Sequence, residues 1–172
     1  MKKIVLTAIC FLAGASLNAQ NLRPFAGTWR VDPDKSQEKA TPLKNPTANA
    51  PDIPPPPPSD HKYTLEKIEE AGAVLKISGG EAGTTAVYTI DPSGKEVSDS
   101  IPDAPGSVRV ATTRWDKGKL VTDWKLQRDG ETVMHGTDVH SLNSDGVLVL
   151  NRSIESPFHR ADVLLVLKKV SQ

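Results

Sequence analysis

Side chains able to do chemistry are few in this chain, and they do not converge on a recognisable catalytic spacing. Histidines stand at His61, His135, His140 and His159. A zinc site needs three or four ligands converging at about 2 Å. On one strand His135 and His140 are an odd number of residues apart, so they point to opposite faces. Asp138 and His140 share a face, but two groups do not make a site. No resident metal is therefore expected, and the histidines read as solvated or hydrogen-bonded surface groups. There is no Gly-x-Ser-x-Gly elbow for a nucleophilic serine. No catalytic residue is assigned and no cofactor is implied. A hydrolytic or isomerising enzyme ranks third among the readings.

The arginines carry more. Arg152 alternates onto one face with Leu148, Leu150 and Ile154, and Arg114 shares a face with Val108 and Val110. An arginine on an otherwise apolar face costs free energy unless it is paired. It would serve as counter-ion to an acidic ligand, or else sit at a strand end with its head in water and its stem packed. With Tyr88 and Trp124, Arg114 and Arg152 make up the candidate ligand-binding set. Leu75, Ile77 and Leu120 would complete the lining. Aromatic residues are only 5% of the chain, so a large aromatic pocket is not expected.

The elements that must position these groups are short strands. Candidate strands run over residues 61–68, 73–78, 84–90, 95–100, 108–115, 119–127, 131–142, 147–154 and 161–170. In the clearest, Leu120, Thr122, Trp124 and Leu126 lie on one face, and Lys119, Asp123 and Lys125 on the other. Asp129-Gly130 is the strongest hairpin signal, because both central positions of that turn require positive φ. Asp116-Lys117-Gly118, Asn143-Ser144-Asp145-Gly146 and Asp91-Pro92-Ser93-Gly94 mark further turns. Evenly spaced strands without a long helical period indicate an all-β fold, and consecutive hairpins indicate a meander. The expected architecture is a single up-and-down antiparallel barrel of about eight strands, wide enough for packed side chains or one small ligand.

Two segments fall outside that pattern. Met1-Lys2-Lys3, the apolar run Ile4–Leu12 and the small-residue stretch ending at Ala19 read as a signal peptide over residues 1–19. The barrel domain would then be residues 20–172. The lone Cys10 lies within the apolar run, so the mature domain has no thiol or disulfide. The whole chain has a formal net charge of zero, and loss of Lys2 and Lys3 leaves it slightly acidic. That balance gives nucleic acid nothing to hold. No second apolar run is long enough to span a bilayer. A periplasmic or extracellular monomer is expected. Residues 37–60 hold eight prolines, five of them consecutive at Pro54–Pro58. This proline-rich loop reads as a stiff, solvated connection, or as a polyproline ligand for a partner.

Phe25-x-Gly27-x-Trp29, followed by a long first loop and a meander, resembles the lipocalin and fatty-acid-binding superfamily. It is most similar to bacterial secreted lipocalin-like domains, in which Gly-Thr-Trp runs into a Lys-Ser pair, here Lys35-Ser36. The resemblance implies a barrel whose closed end holds Gly27 and Trp29, with a late-strand arginine stacked on the tryptophan. Arg152, Arg160 and Arg23 are the candidates. The Arg-x-Tyr pair with which fatty-acid binders hold a carboxylate would fall at Leu165-Val166-Leu167 and is absent. The resemblance implies binding of a small hydrophobic or amphipathic molecule. The alternative is a non-catalytic module with a filled barrel, docking partners through the proline-rich loop.

Overall fold

The computed structural model describes residues 21–43, 65–79, 86–102 and 104–170. The proposed signal peptide and the five-proline run lie outside these residues. A single 3-10 turn, η1 (Arg23–Phe25), precedes eleven strands: β1 (Gly27–Val31), β2 (Gln37–Pro42), β3 (Leu65–Ala71), β4 (Val74–Gly79), β5 (Ala86–Ile90), β6 (Ser93–Ser100), β7 (Ser107–Asp116), β8 (Lys119–Arg128), β9 (Glu131–Leu142), β10 (Leu148–Glu155) and β11 (His159–Lys169). All ladders are antiparallel, in the order β5-β4-β3-β1-β11-β10-β9-β8-β7-β6. β5 and β6, the two ends of that order, touch each other, so the sheet curls into a nearly closed barrel.

The expected architecture holds, but with eleven strands among the described residues rather than about eight. One added strand is β2, which falls in the segment read as an aperiodic proline-rich loop. Gln37–Pro42 has no apolar alternation to announce it. It is held by backbone pairing with β11, from Leu164↔Gln37 to His159↔Pro42. The single proline sits at the strand's end, where losing a donor costs least. β1 and β2 follow the same partner in succession, separated by a pinched bulge. There the Ser36 hydroxyl donates to the Asp32 carbonyl (2.7 Å) and accepts the Val166 N–H (3.1 Å). The Lys-Ser pair thus has a structural role, carried by its serine.

The closed end is built around Trp29, which is 1% exposed and donates its indole N–H to the Phe25 carbonyl at 2.8 Å. Leu22 and Phe25 of the η1 region are buried beside it, and Phe25 meets Trp115 edge-on. The stacked cation is neither Arg152, Arg160 nor Arg23. It is Lys169, whose Nζ lies 5.3 Å from the Trp29 ring. Register explains this, because Lys169 is the direct cross-strand partner of Trp29. Gly27, at φ 144°, leaves room for the lysine stem, which a Cβ there would strike. Leu120, Leu148, Leu150, Leu165 and Leu167 fill the space above Trp29. The hairpin turns behave as expected: Asp129 and Gly130 have φ of 52° and 84°, and Lys117 and Gly118 have 48° and 81°.

Candidate functional site

Above the leucines the interior becomes polar. Register puts Thr113, Thr122, Asp138, Arg152 and Val163 in one inward row across β7 to β11. The two threonine hydroxyls bond to each other at 2.8 Å. Asp138 is the hub. Its carboxylate accepts Arg152 Nε (2.8 Å) and Nη2 (2.9 Å), and also the Trp124 indole N–H (2.9 Å). Arg109 Nη2 stands 3.7 Å from the same carboxylate. The Arg109 guanidinium also lies over Tyr88 (4.9 Å) and near Trp124 (5.8 Å), a cation–π arrangement on two sides.

Burial sets the electrostatics. Burial pushes the Asp138 carboxyl up, but the charge and hydrogen bonds of Arg152 outweigh it and hold the carboxyl below its usual range. The Arg152 guanidinium is correspondingly held charged: Asp138 overcomes the desolvation. Desolvation lowers Arg109 and raises Tyr88 and Glu66. His140 faces the same interior, one inward position along β9 from Asp138, and burial drops its pKa to about 4. It is a neutral core group, which corrects the surface reading of that histidine. Among the described residues three buried side-chain polar atoms have no hydrogen-bond partner: Glu66 Oε2, Arg109 Nη1 and His140 Nδ1.

Toward the open end the next inward row is Ala111, Trp124, Gly136, Ile154 and Ala161. Leu126 and Met134 lie beyond it. Trp124, Leu126, Met134 and Ile154 are only partly buried, so they form an apolar cup over the charged floor. Gly136 makes the Trp124 position possible, since a Cβ there would overlap the indole ring and the Ser153 carbonyl.

Of the four residues proposed from sequence, Tyr88, Trp124 and Arg152 meet in this interior. Arg114 does not. It shares the outer face with Val108 and Val110, where it pairs with exposed Asp123. Leu75, Ile77 and Leu120 face inward as core. Sequence reasoning passed over Arg109, Asp138 as an arginine partner, and Glu66. A signal for Arg109 existed: the two-residue turn at Lys117-Gly118 pairs Trp115 with Leu120, which puts Arg109, Ala111 and Thr113 on the Trp124 face. Open grooves also lie on the outer surface of the described residues. One, of about 710 Å³, crosses β6 to β11 and is lined mainly by polar side chains. Another, of about 410 Å³, runs beside β2. Among the described residues no cluster of three or more histidine, cysteine or acidic side chains is placed to hold a metal ion.

This geometry defines a nearly closed antiparallel β-barrel with a charged interior. Solved structures share the fold, among them two of one transporter. A structure titled "REP1-NXSQ fatty acid transporter" superposes with a TM-score of 0.51 over 87% of this chain and 98% of its own, at 13% identity. A mutant of that transporter gives 0.50 over 86% and 99%, also at 13% identity. No protein-family model matches the chain, and no curated protein matches it significantly.

Proposed function

We propose that this barrel binds a small amphipathic molecule, with the acidic head on the arginine floor and the apolar tail in the cup. The observation that carries this reading is the floor itself: two inward guanidiniums, Arg109 and Arg152, converge on the carboxylate of Asp138. Like charges in a low-dielectric interior repel, and an anion brought in by a ligand relieves that repulsion. Arg152 is the accessible member, with its side chain 25% exposed. Its pair with Asp138 uses Nε and Nη2, so Nη1 lies outside that pair. Half-buried Leu126, Met134, Ile154 and Trp124 supply apolar contact for a tail. The fold neighbours named above, fatty acid transporters, are in keeping with this reading. Export through cleavage after Ala19 and a soluble monomeric state belong to the same proposal. No helix among the described residues is long and apolar enough to cross a membrane.

The test is calorimetric titration with octanoate, dodecanoate and hexadecanoate, beside native mass spectrometry of protein purified from its source. Saturable one-to-one binding of at least one acid is expected, weakened tenfold or more in Arg152→Met. Absence of binding across the series, with no copurified molecule, would overturn the proposal.

The rival is a barrel with a filled core that works through its outer surface. It draws on the dense packing below the floor, where Leu120, Leu148 and Leu167 are wholly buried, and on the position of both grooves outside the barrel. Partner capture that is insensitive to Arg152→Met and to added dodecanoate would favour it. The proline-rich docking segment belonging to that reading lies outside the described residues, apart from β2.

A further inference from the structure

The charge balance of the interior includes a second carboxyl that the arginine–aspartate arrangement does not use. Glu66, on β3, is the cross-strand partner of Trp29 and shares its inward face. It approaches the floor from β3, within electrostatic reach of both Arg152 and Asp138. Its Oε2 is buried and has no hydrogen-bond partner. A carboxylate so placed is costly: it has lost water and gained no donor at that oxygen. It is not idle, however. Arg109 and Arg152 carry two positive charges and Asp138 one negative. Asp99, opposite Arg109 on β6, spends its carboxylate on the Thr89 N–H at the half-exposed seam, so an ionised Glu66 is the charge that brings the buried part of this set to neutrality.

We infer that Glu66 is the internal counter-ion of the empty barrel, and that an acidic ligand enters together with one proton, which Glu66 holds. An incoming carboxylate that takes the second negative charge leaves Glu66 as a surplus anion in a dry site. Protonating Glu66 removes the surplus and supplies an O–H donor for the oxygen that lacks a partner. Burial already favours the neutral form of Glu66, the same direction in which an incoming anion pushes it. The other groups facing this space do not take up the proton in its place. Asp138 is held ionised by Arg152, and His140, with a pKa of about 4, stays neutral above that pH. Tyr88 is neutral already, and burial raises it further. Trp29 and Trp124 do not titrate. The site therefore selects for charge state: an uncharged amphiphile of the same length needs no proton, whereas an acid does. This inference rests on the binding proposal above and goes beyond it by naming the residue that couples ligand charge to pH.

The experiment compares dodecanoate with dodecanol by titration calorimetry on the full domain at pH 6.5 to 8.5, in buffers of different ionisation enthalpy. Dodecanoate is ionised in water throughout this range. Wild type is expected to take up close to one proton per dodecanoate at the alkaline end, its affinity falling about tenfold per pH unit there. Dodecanol should bind with no uptake and a flat profile. Glu66→Gln keeps the shape and the hydrogen-bonding groups without the charge. It should bind dodecanoate with no uptake, at an affinity independent of pH and equal to the wild-type value at low pH. Dodecanoate binding with zero proton uptake in wild type would overturn the inference and leave the binding proposal standing. So would a wild-type pH slope retained in Glu66→Gln. Failure of both probes to bind would overturn the two together. The wild-type comparison of the two probes needs no variant, so poor folding of Glu66→Gln cannot rescue the inference.

Discussion

Asp138 is the residue on which the interior turns. It is 2% exposed and accepts three hydrogen bonds, two of them from Arg152, with Arg109 close by. Removing it would take from two buried guanidiniums the carboxylate on which both converge. Asp138→Ala is therefore expected to cost about 3–5 kcal/mol of folding stability, the range for breaking one side of a buried pair. Urea unfolding followed by circular dichroism measures it, and a loss below about 1 kcal/mol would mean that Glu66 or water already does this work. His140 sets a second expectation. Its folded pKa, about 4, lies below its ordinary value of 6.5. Between those values the unfolded chain binds a proton that the folded chain refuses. The stability from a neutral His140 is thus fully present above pH 6.5 and is lost as pH falls toward 4, at up to about 1.4 kcal/mol per pH unit. Asp138 adds loss of the same sign at lower pH, because its folded value is also depressed. Glu66 acts in the opposite sense, since its folded value is raised and its contribution is lost as pH rises. The urea midpoint should fall from pH 7 to pH 5, and less steeply in His140→Gln. Equal slopes would show that another group carries the dependence.

At the scale of elements, the strands that were readable in sequence are those with one face buried. Leu120, Thr122, Trp124 and Leu126 on β8 announce themselves by alternation, and Trp29 by its glycine-flanked motif. β2 was not readable, because Gln37–Pro42 contributes backbone to β11 and almost no apolar surface. β7 was readable as a strand, but the face was misjudged. Val108 and Val110 suggest an inward face, yet the interior takes Ser107, Arg109, Ala111 and Thr113, while the valines lie outward, partly covered. Hydrophobicity misleads where a barrel keeps a charged interior, and only the hairpin register corrects it. That correction would have exchanged Arg114 for Arg109. Trp29 gives the firmest element-scale expectation. It joins β1 to η1 and to the leucine layer, and Trp29→Ala should cost about 3–5 kcal/mol, as for other large buried aromatics. A cost under about 1 kcal/mol in chemical denaturation would remove it from the core. Trp124 of β8 lies directly opposite Gly136 of β9, with its indole over the glycine. Gly136→Ala forces the indole or the β10 backbone aside, at about 1–3 kcal/mol of overpacking. The Trp124 contribution to fluorescence should shift with it, and an unchanged spectrum and stability would mean that the ring relaxes freely.

Over the whole molecule the weakest line is the seam between β5 and β6. Every other neighbouring pair in the sheet order is joined by an antiparallel ladder, but these two strands close the barrel without one among the described residues. What joins them is their short connection through Asp91 and Pro92, and a hydrogen bond from the Thr89 N–H to the Asp99 carboxylate at 2.9 Å. Opening there breaks few hydrogen bonds, whereas opening between β8 and β9 would break a long ladder and expose the floor. The lowest-energy openings of a fold follow such lines. The seam also lies beside the floor, since Tyr88 is on β5 and Asp99 on β6 is within electrostatic reach of Arg109. A molecule too large for the cup mouth would have its cheapest side entry here. Hydrogen exchange by NMR should then find the seam-facing amides of β5 and β6 exchanging at least tenfold faster than those of the β8–β9 ladder. Asp99→Ala should widen that gap and leave β8 and β9 unchanged. Saturation with dodecanoate should slow the seam amides more than it slows any others, because a ligand on the floor packs against Tyr88 and resists opening. Uniform protection around the barrel, or a dodecanoate effect confined to β8 and β9, would show that the seam is closed as firmly as the ladders and that entry is through the open end.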